Sequence, residues 1–323
     1  MSNKAIAILM SVPLALTAGD APTGIRSAVQ KAIGLLEKQS PQFIKNGGCN
    51  SCHAQFLPAA AQVLARQRGI PVGADLAQLP PEALEVTAER VYELSGATNA
   101  NSLGYQLFAE AATKRPADER IEALVHYLKA TQSADGRWQT AGNRPPMTYD
   151  DFTTTAFTIF ALRSYAPDSD QSVGRALSWL LEASPQTTVE RAAHLLGLGW
   201  AKASRPAIDK AMSGLLAQQR ADGGWPQLPA MPSDAYGTGL ALYALHEGGG
   251  TAVNHESYRR GVQYLLRTQA ADGSWHVKAR SLPLQPYFES GFPYGEDQWI
   301  SAAGTSWAAM ALSLAVEPER AGL

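Results

Sequence analysis

Cysteine is almost missing from this chain. There are two in 323 residues, so no disulfide framework holds the fold and a packed core must do so. Charge is thin as well. Asp, Glu, Lys and Arg make up 17% of the chain with a net charge of −2, below the roughly one quarter usual for soluble domains. No basic stripe is present, which argues against a nucleic-acid partner. Beyond residue 19 no apolar run is long enough to cross a bilayer, so no transmembrane segment is expected in the remainder. Histidine is scarce, with six copies. What the chain has in quantity is apolar residues, 45% of the total, enough for a large core.

The two cysteines stand together in Cys49-Asn50-Ser51-Cys52-His53. C-x-x-C followed at once by histidine is the spacing of c-type haem attachment. Two thiols add across the porphyrin vinyl groups, and the adjacent histidine is carried under the iron as an axial ligand. A redox dithiol, half of a zinc site and an inert pair are the competing readings of C-x-x-C. Covalent haem is attached outside the cytoplasm, so the reading requires export. Residues 1–19 read as a signal peptide: Lys4 gives a positive start, Ala5 to Gly19 is uncharged and mostly apolar, and small residues follow at Thr17-Ala18-Gly19. The competing reading, a buried N-terminal helix, is opposed by Pro13. A periplasmic or otherwise exported protein is therefore expected.

One pattern recurs three times: Gln132 to Trp138, Gln219 to Trp225 and Gln269 to Trp275 each read Q-x-x-D-G-x-W. Each follows a helical pattern and precedes another helix rich in small and apolar residues. Glycine after aspartate supplies the positive φ needed past a helix C-terminus. The tryptophan that follows folds back as an amphipathic cover whose N–H seeks a partner.

These segments resemble the QW repeats of squalene–hopene cyclases, protein prenyltransferase β-subunits and their relatives. The resemblance implies an all-α fold, an (α/α)6 toroid of six helical hairpins with outer and inner helices. Outer helices are expected at 25–38, 81–95, 117–131, 171–183, 205–219 and 256–269, and inner helices at 54–68, 101–113, 152–165, 188–203, 235–247 and 299–315. Length alone would allow two domains. Six hairpins closing one ring make 20–323 a single domain, with the C-x-x-C-H motif in the first hairpin loop.

In such toroids the loops from outer to inner helix lie on the face where the central cavity opens. That puts Cys49, Cys52 and His53 at the cavity mouth, and a helix N-terminus there favours reactive thiols as an alternative. The same face would receive Asp151 beside Met147, Tyr149 and Asp150, then His194 and Glu190, then Asp234 and Met231. It would also receive His276, Lys278, Arg280, Glu289, Glu296 and Asp297 from a long last loop, 276–298. Plainer roles compete: N-caps for Asp151 and Asp234, a satisfied inner-helix histidine for His194, and an ion pair between Arg280 and Glu289.

Neither parent chemistry carries over. Class II cyclases place a D-x-D-D acid at an inner-helix start. Asp151-Phe-Thr-Thr154 and Asp234-Ala-Tyr-Gly237 occupy that position and keep only the first acid. The prenyltransferase zinc set of Asp, Cys and His on inner helices has no counterpart, because both cysteines lie in hairpin one. A narrower resemblance, carried by Gln285 to Ser301 together with C-x-x-C-H, is to bacterial exported toroids of squalene-cyclase likeness, and it implies architecture and haem attachment without a substrate.

The reading is thus an exported toroid with one covalent haem c, its iron on His53, acting in electron transfer or as a haem-bearing redox subunit with a redox partner protein. The alternatives are a cyclase-like or prenyltransferase-like enzyme on a small apolar substrate, or a lipid- or peptide-binding toroid. For the second axial iron ligand, ring closure beside hairpin one ranks His276 first, then Met231 and Met147, then His194, with an open position as the rival.

Overall fold

The computed structural model describes residues 21–47, 51–73, 76, 100–140, 142, 144–283 and 285–317. The expected signal peptide, Cys49 and the expected outer helix 81–95 lie outside the described residues.

The described chain is helical, with one two-residue hairpin. Helix α1 (Ala21–Gly47) leads to α2 (Leu57–Gln67) through a π-helical turn, Cys52–Phe56. There follow α3 (Ala100–Ala112), α4 (Glu119–Ala130), α5 (Asp151–Tyr165), α6 (Asp170–Glu182), α7 (Thr188–Trp200) and α8 (Arg205–Leu216). Strands β1 (Trp225–Pro226) and β2 (Ser233–Asp234) pair antiparallel, Trp225 opposite Asp234. Then come α9 (Ala235–Glu247), α10 (Glu256–Thr268) and α11 (Gln298–Leu314).

Helices α2, α3, α5, α7, α9 and α11 each pack on the next, and α11 packs back on α2, which closes an inner ring. Among the described residues α1, α4, α6, α8 and α10 lie outside it, each against its inner neighbours. The expected helix positions match these spans. The largest difference is α1, which runs nine residues beyond the expected end at 38, to Gly47, with Pro41 inside it.

The two kinds of helix differ as their positions demand. Outer helix α10 is strongly amphipathic, with Glu256 in its first turn and Arg267 in its last, each placed to oppose the helix dipole. Inner helix α11 is buried at every position from Gln298 to Leu314, as a central helix must be. Small residues let inner helices approach closely. A Cβ on Gly239 of α9 would stand 2.6 Å from the Ala308 nitrogen of α11.

The three repeats form the girdle of the ring. Trp138, Trp225 and Trp275 are buried and donate their indole N–H to the carbonyls of Leu128 (2.6 Å), Leu215 (2.9 Å) and Leu265 (2.9 Å). Those carbonyls belong to the last turns of the preceding outer helices, where acceptors lack partners within the helix. The repeat glutamines reach further. Gln132 donates to Ser172 of α6 (2.8 Å), Gln219 to Ser257 of α10 (2.8 Å) and Gln269 to Ala28 of α1 (2.9 Å). The third bond joins positions 241 apart in sequence and ties the last hairpin to the first.

Candidate functional site

The C-x-x-C-H turn is built by local hydrogen bonds. Ser51 caps it by accepting the Ala54 N–H (3.1 Å). Gln55 holds it from both ends: its Oε1 accepts the Ser51 N–H (2.7 Å), and its amide donates to the Ser40 carbonyl of α1 (3.0 Å). The turn is one residue wider than an α-turn, with the N–H of Phe56 on the Ser51 carbonyl (3.3 Å). π-turns of this kind recur at functional sites.

The consequence is the placement of His53. Its side chain is buried between Phe43, edge-on at 5.2 Å, and Trp299 at 6.0 Å. Among the described residues its Nε2 has no hydrogen-bond partner. Burial, aided by the Arg144 charge, pushes the imidazole pKa down to about 3, which favours the neutral ring, in which one of the two nitrogens carries a lone pair. A buried polar atom left without a partner costs about 1–3 kcal/mol, and a metal is one group that would satisfy it. Cys52 precedes it, half-buried, its thiol pushed up to about 12 by burial. That shift favours the protonated thiol at neutral pH and does not support an activated dithiol at this residue.

His53 lines an open cavity of about 360 Å³, within the size range of small-molecule sites. Phe43, Phe288 and Trp299 supply aromatic wall, Arg144 and Lys278 the cationic side chains. The Arg144 guanidinium sits 4.2 Å from the Trp299 ring centroid. The long loop after Trp275 forms one wall and is fastened at both ends. Asn46 of α1 donates to the Glu289 carbonyl (2.7 Å), while Gln298 donates to Phe288 (2.7 Å) and accepts from Ser290 (2.8 Å). Closure of the ring thus brings the first and last hairpins together at the motif, as expected.

The other residues singled out from sequence are placed as follows. Asp297 lines the cavity and accepts hydrogen bonds from His276 Nε2 (2.8 Å) and the Ala279 N–H (2.8 Å). His276 is not among the cavity-lining residues; it stacks on Tyr294 with ring centroids 4.6 Å apart. His194 donates to the Leu180 carbonyl (2.8 Å), a satisfied inner-helix histidine. Asp234 caps α9 by accepting the Gly237 N–H (2.8 Å). Asp151 caps nothing, because Asp150 holds that place on α5; Asp151 instead accepts the Thr140 N–H (2.8 Å) and pairs with Arg137 at 3.4 Å. Arg280 donates to Gln227 (2.8 Å) and Glu289 accepts the Tyr287 hydroxyl (2.5 Å), so the expected pair between them is replaced by two separate contacts.

Sequence reasoning did not single out Arg144, Phe43 or Trp299. The only available signal for Arg144 was its place in the same outer-to-inner loop as Met147 and Asp151. It also passed over Asp150 as an acid. Burial raises its pKa to about 6, against opposing hydrogen bonds from Thr153, and the charges of Glu190 and Asp151 push the same way. Asp234 is raised to about 6 as well, again by burial.

The middle of the ring is filled with rings. Phe108 packs on Phe157 (5.2 Å) and Tyr243 (6.2 Å), and Trp307 on Tyr243 (5.4 Å) and Phe157 (6.3 Å). A closed circle of six inner helices around such a centre has known counterparts. A type II terpene cyclase from Scytonema, solved with geranylgeranyl dihydroxybenzoate as substrate, superposes with a TM-score of 0.59 at 14% identity, over 93% of this chain and 99% of that one. The chain has the α/α-toroid fold of the terpene cyclases. A possible GH105-family member from Salmonella enterica shares the toroid with a TM-score of 0.53 at 11% identity, over 96% of this chain and 97% of that one. In sequence, the squalene-hopene cyclase C-terminal domain matches residues 188–294 of the toroid. A squalene–hopene cyclase from Bradyrhizobium diazoefficiens is 36% identical over 99 residues, 27% of this chain and 14% of that enzyme. Both sequence matches are partial, so the toroid shares a segment with these cyclases and not their length.

Proposed function

We propose that this toroid carries one haem c, joined through Cys49 and Cys52 with His53 as axial ligand, and serves as an exported haem-bearing redox protein on a terpene-cyclase scaffold. One observation supports the reading: His53, next to Cys52, lines an aromatic cavity and keeps a buried Nε2 that has no hydrogen-bond partner among the described residues. The donor set fits the group. The imidazole of His53 would hold the iron, the Cys52 thiol would supply a thioether, Phe43, Phe288 and Trp299 would offer apolar wall, and Arg144 and Lys278 would offer positive charge to its carboxylates. When bound, haem would supply one-electron chemistry. The protein's part is to hold it, shield it from water and set its charge surroundings. Export accompanies the reading, because thioether attachment takes place outside the cytoplasm.

The test is a denaturing gel stained for haem peroxidase activity, on protein from a host able to attach haem. A stained band that Cys52→Ala abolishes supports the proposal; colourless protein from such a host ends it.

A second reading is supported by the sequence matches and by the Scytonema structure, which are of cyclases. In that reading the cavity holds a small apolar ligand without haem, as the Scytonema cyclase holds its prenylated substrate. Mass spectrometry of organic extracts separates the two: a stoichiometric lipid in haem-free protein favours the ligand reading.

A further inference from the structure

Three polar side chains from two hairpins stand in a hydrogen-bonded row. Asp234, at the start of α9, accepts the Gly237 N–H on Oδ1 (2.8 Å) and Gln227 Nε2 on Oδ2 (2.9 Å). Gln227, just past β1, is fully buried, and its Oε1 accepts Arg280 Nε (2.8 Å). One orientation of the Gln227 amide serves both neighbours: its nitrogen faces the carboxylate and its oxygen the guanidinium.

Arg280 anchors the wall of the cavity. Lys278, Ala279, Ser281 and Leu282 line that cavity, while the Arg280 side chain runs to Gln227 instead. The chain before it is fastened separately, with the Val277 N–H on Ser301 Oγ (3.0 Å) and the Ala279 N–H on Asp297 (2.8 Å). The row from Asp234 to Arg280 therefore sets where the wall continues at Ser281.

We propose that this row is a proton-operated latch: a proton taken up by Asp234 turns the Gln227 amide over, which releases Arg280 and loosens the cavity wall at Ser281. The inference stands apart from the haem reading, since Asp234, Gln227 and Arg280 are not among the residues that line the cavity with His53. The donors give the reason. A proton on Oδ1 would oppose the Gly237 N–H, which is backbone and cannot turn. A proton on Oδ2 opposes only an amide, which can. Once turned, Gln227 accepts from the carboxyl and presents its NH2 to Arg280, so two donors face each other. The same proton removes the carboxylate charge that attracts the guanidinium.

Burial lifts the Asp234 pKa to about 6, against hydrogen bonds from Gly237, Gln227 and Tyr236 and against the Arg280 charge. The exchange thus falls in the mildly acid range. The other titratable groups around the row are Tyr236 on α9, Tyr264 on α10 and Asp222, which accepts the Ser233 hydroxyl (3.0 Å). Tyr149 and Asp150 face Arg280 from the end of the loop before α5. Helix α11, packed on α9, carries no charged residue. Asp150 is the one rival acid, because burial raises it to about 6 as well.

The experiment is limited trypsin digestion of the full-length protein, followed by mass spectrometry. Trypsin cuts after Arg280 once that bond is free. Each rate is divided by that of a reference peptide with an Arg-Ser bond in the same tube, which removes the pH dependence of trypsin itself. In wild type, relative cleavage at Arg280–Ser281 should rise about tenfold from pH 7.5 to pH 5.5, while cleavage at Lys210 of α8 stays constant. Asp234→Asn still caps α9 but offers Gln227 a donor, so it should be cut fast at both pH values. Gln227→Met removes the relay and should behave the same way. Asp150→Asn should keep the wild-type response. Equal wild-type rates at the two pH values overturn the latch. A rise at Lys210 in parallel does so too, because the whole fold is then opening. A pH response that survives in Asp234→Asn, or is lost in Asp150→Asn, overturns the assignment to Asp234. A wild-type response in Gln227→Met overturns the relay and leaves direct charge attraction in its place.

Discussion

At the scale of single residues, the molecule keeps two carboxyls where water does not reach them well. Asp150 is nine per cent exposed and its pKa is raised to about 6, chiefly by burial. The sign follows from linkage. Between about pH 4 and 6 the folded protein holds a proton that the unfolded chain has lost, so this residue's contribution to stability falls as pH rises through that window. Asn caps a helix about as well as Asp and does not ionise. Asp150→Asn should therefore be more stable than wild type at pH 7.5, by about 1–3 kcal/mol, and close to it at pH 4.5. Thermal melts at the two pH values check this, and an equal effect at both would refute it. His53 shows the limit of reading at this scale. The pentapeptide suggested haem chemistry, but that its Nε2 would be buried beside Trp299 without a partner among the described residues was not legible, because Trp299 comes from the other end of the chain.

At the scale of elements, the Q-x-x-D-G-x-W segments were legible because each part has a local job and the job repeats. The glycines take φ of +97°, +88° and +98° at Gly136, Gly223 and Gly273. The same three glycines touch the next outer helix, which the spacing could not show. A Cβ on Gly273 would lie 2.6 Å from the Lys31 carbonyl carbon. Gly273→Ala should therefore cost the backbone strain of about 1–3 kcal/mol and also push α10 from α1. Gly174, inside α6 with nothing within 4 Å of its would-be Cβ, is the matched control: Gly174→Ala should stabilise by about 0.5–1 kcal/mol. Chemical denaturation of both variants decides it; similar shifts would mean that the Gly273 contact is unimportant. The π-turn at Cys52–Phe56 had no sequence signal of its own, since it depends on Gln55 reaching Ser40 of α1.

At the scale of the whole molecule, the scaffold resembles that of enzymes whose acid motif this sequence keeps only in part. The cyclase acid position is held by Asp151 and Asp234, which are engaged with Thr140, Arg137, Gly237 and Gln227. The paired acids that should follow are Thr153 and Thr154 in one copy and Tyr236 and Gly237 in the other. Protonating an alkene needs an acid aimed into a dry pocket, and here the ring centre is packed by Phe108, Phe157, Tyr243 and Trp307. Purified protein incubated with squalene should give no hopene-like product by gas chromatography. A cyclised product above a boiled control would contradict this.

The amino-acid sequence by itself determined the helical hairpins and their order, while closure of the ring was implied by the resemblance of the repeats to the QW family. Those rest on short-range periodicity, on Asp-Gly turns and on a repeat that recurs along the chain, all of which act within a few residues. It also determined which residues carry the motif at the centre of the proposal. Tertiary structure alone decided what surrounds that motif. Trp299 and Phe288 reach Phe43 and His53 because hairpin six closes onto hairpin one, and a contact across some 250 positions leaves no periodic trace; Arg144 comes to the same cavity from the loop of hairpin three. It likewise decided that His276 turns to Asp297, since a hydrogen bond to a carboxylate 21 positions away depends on the path of the loop between them.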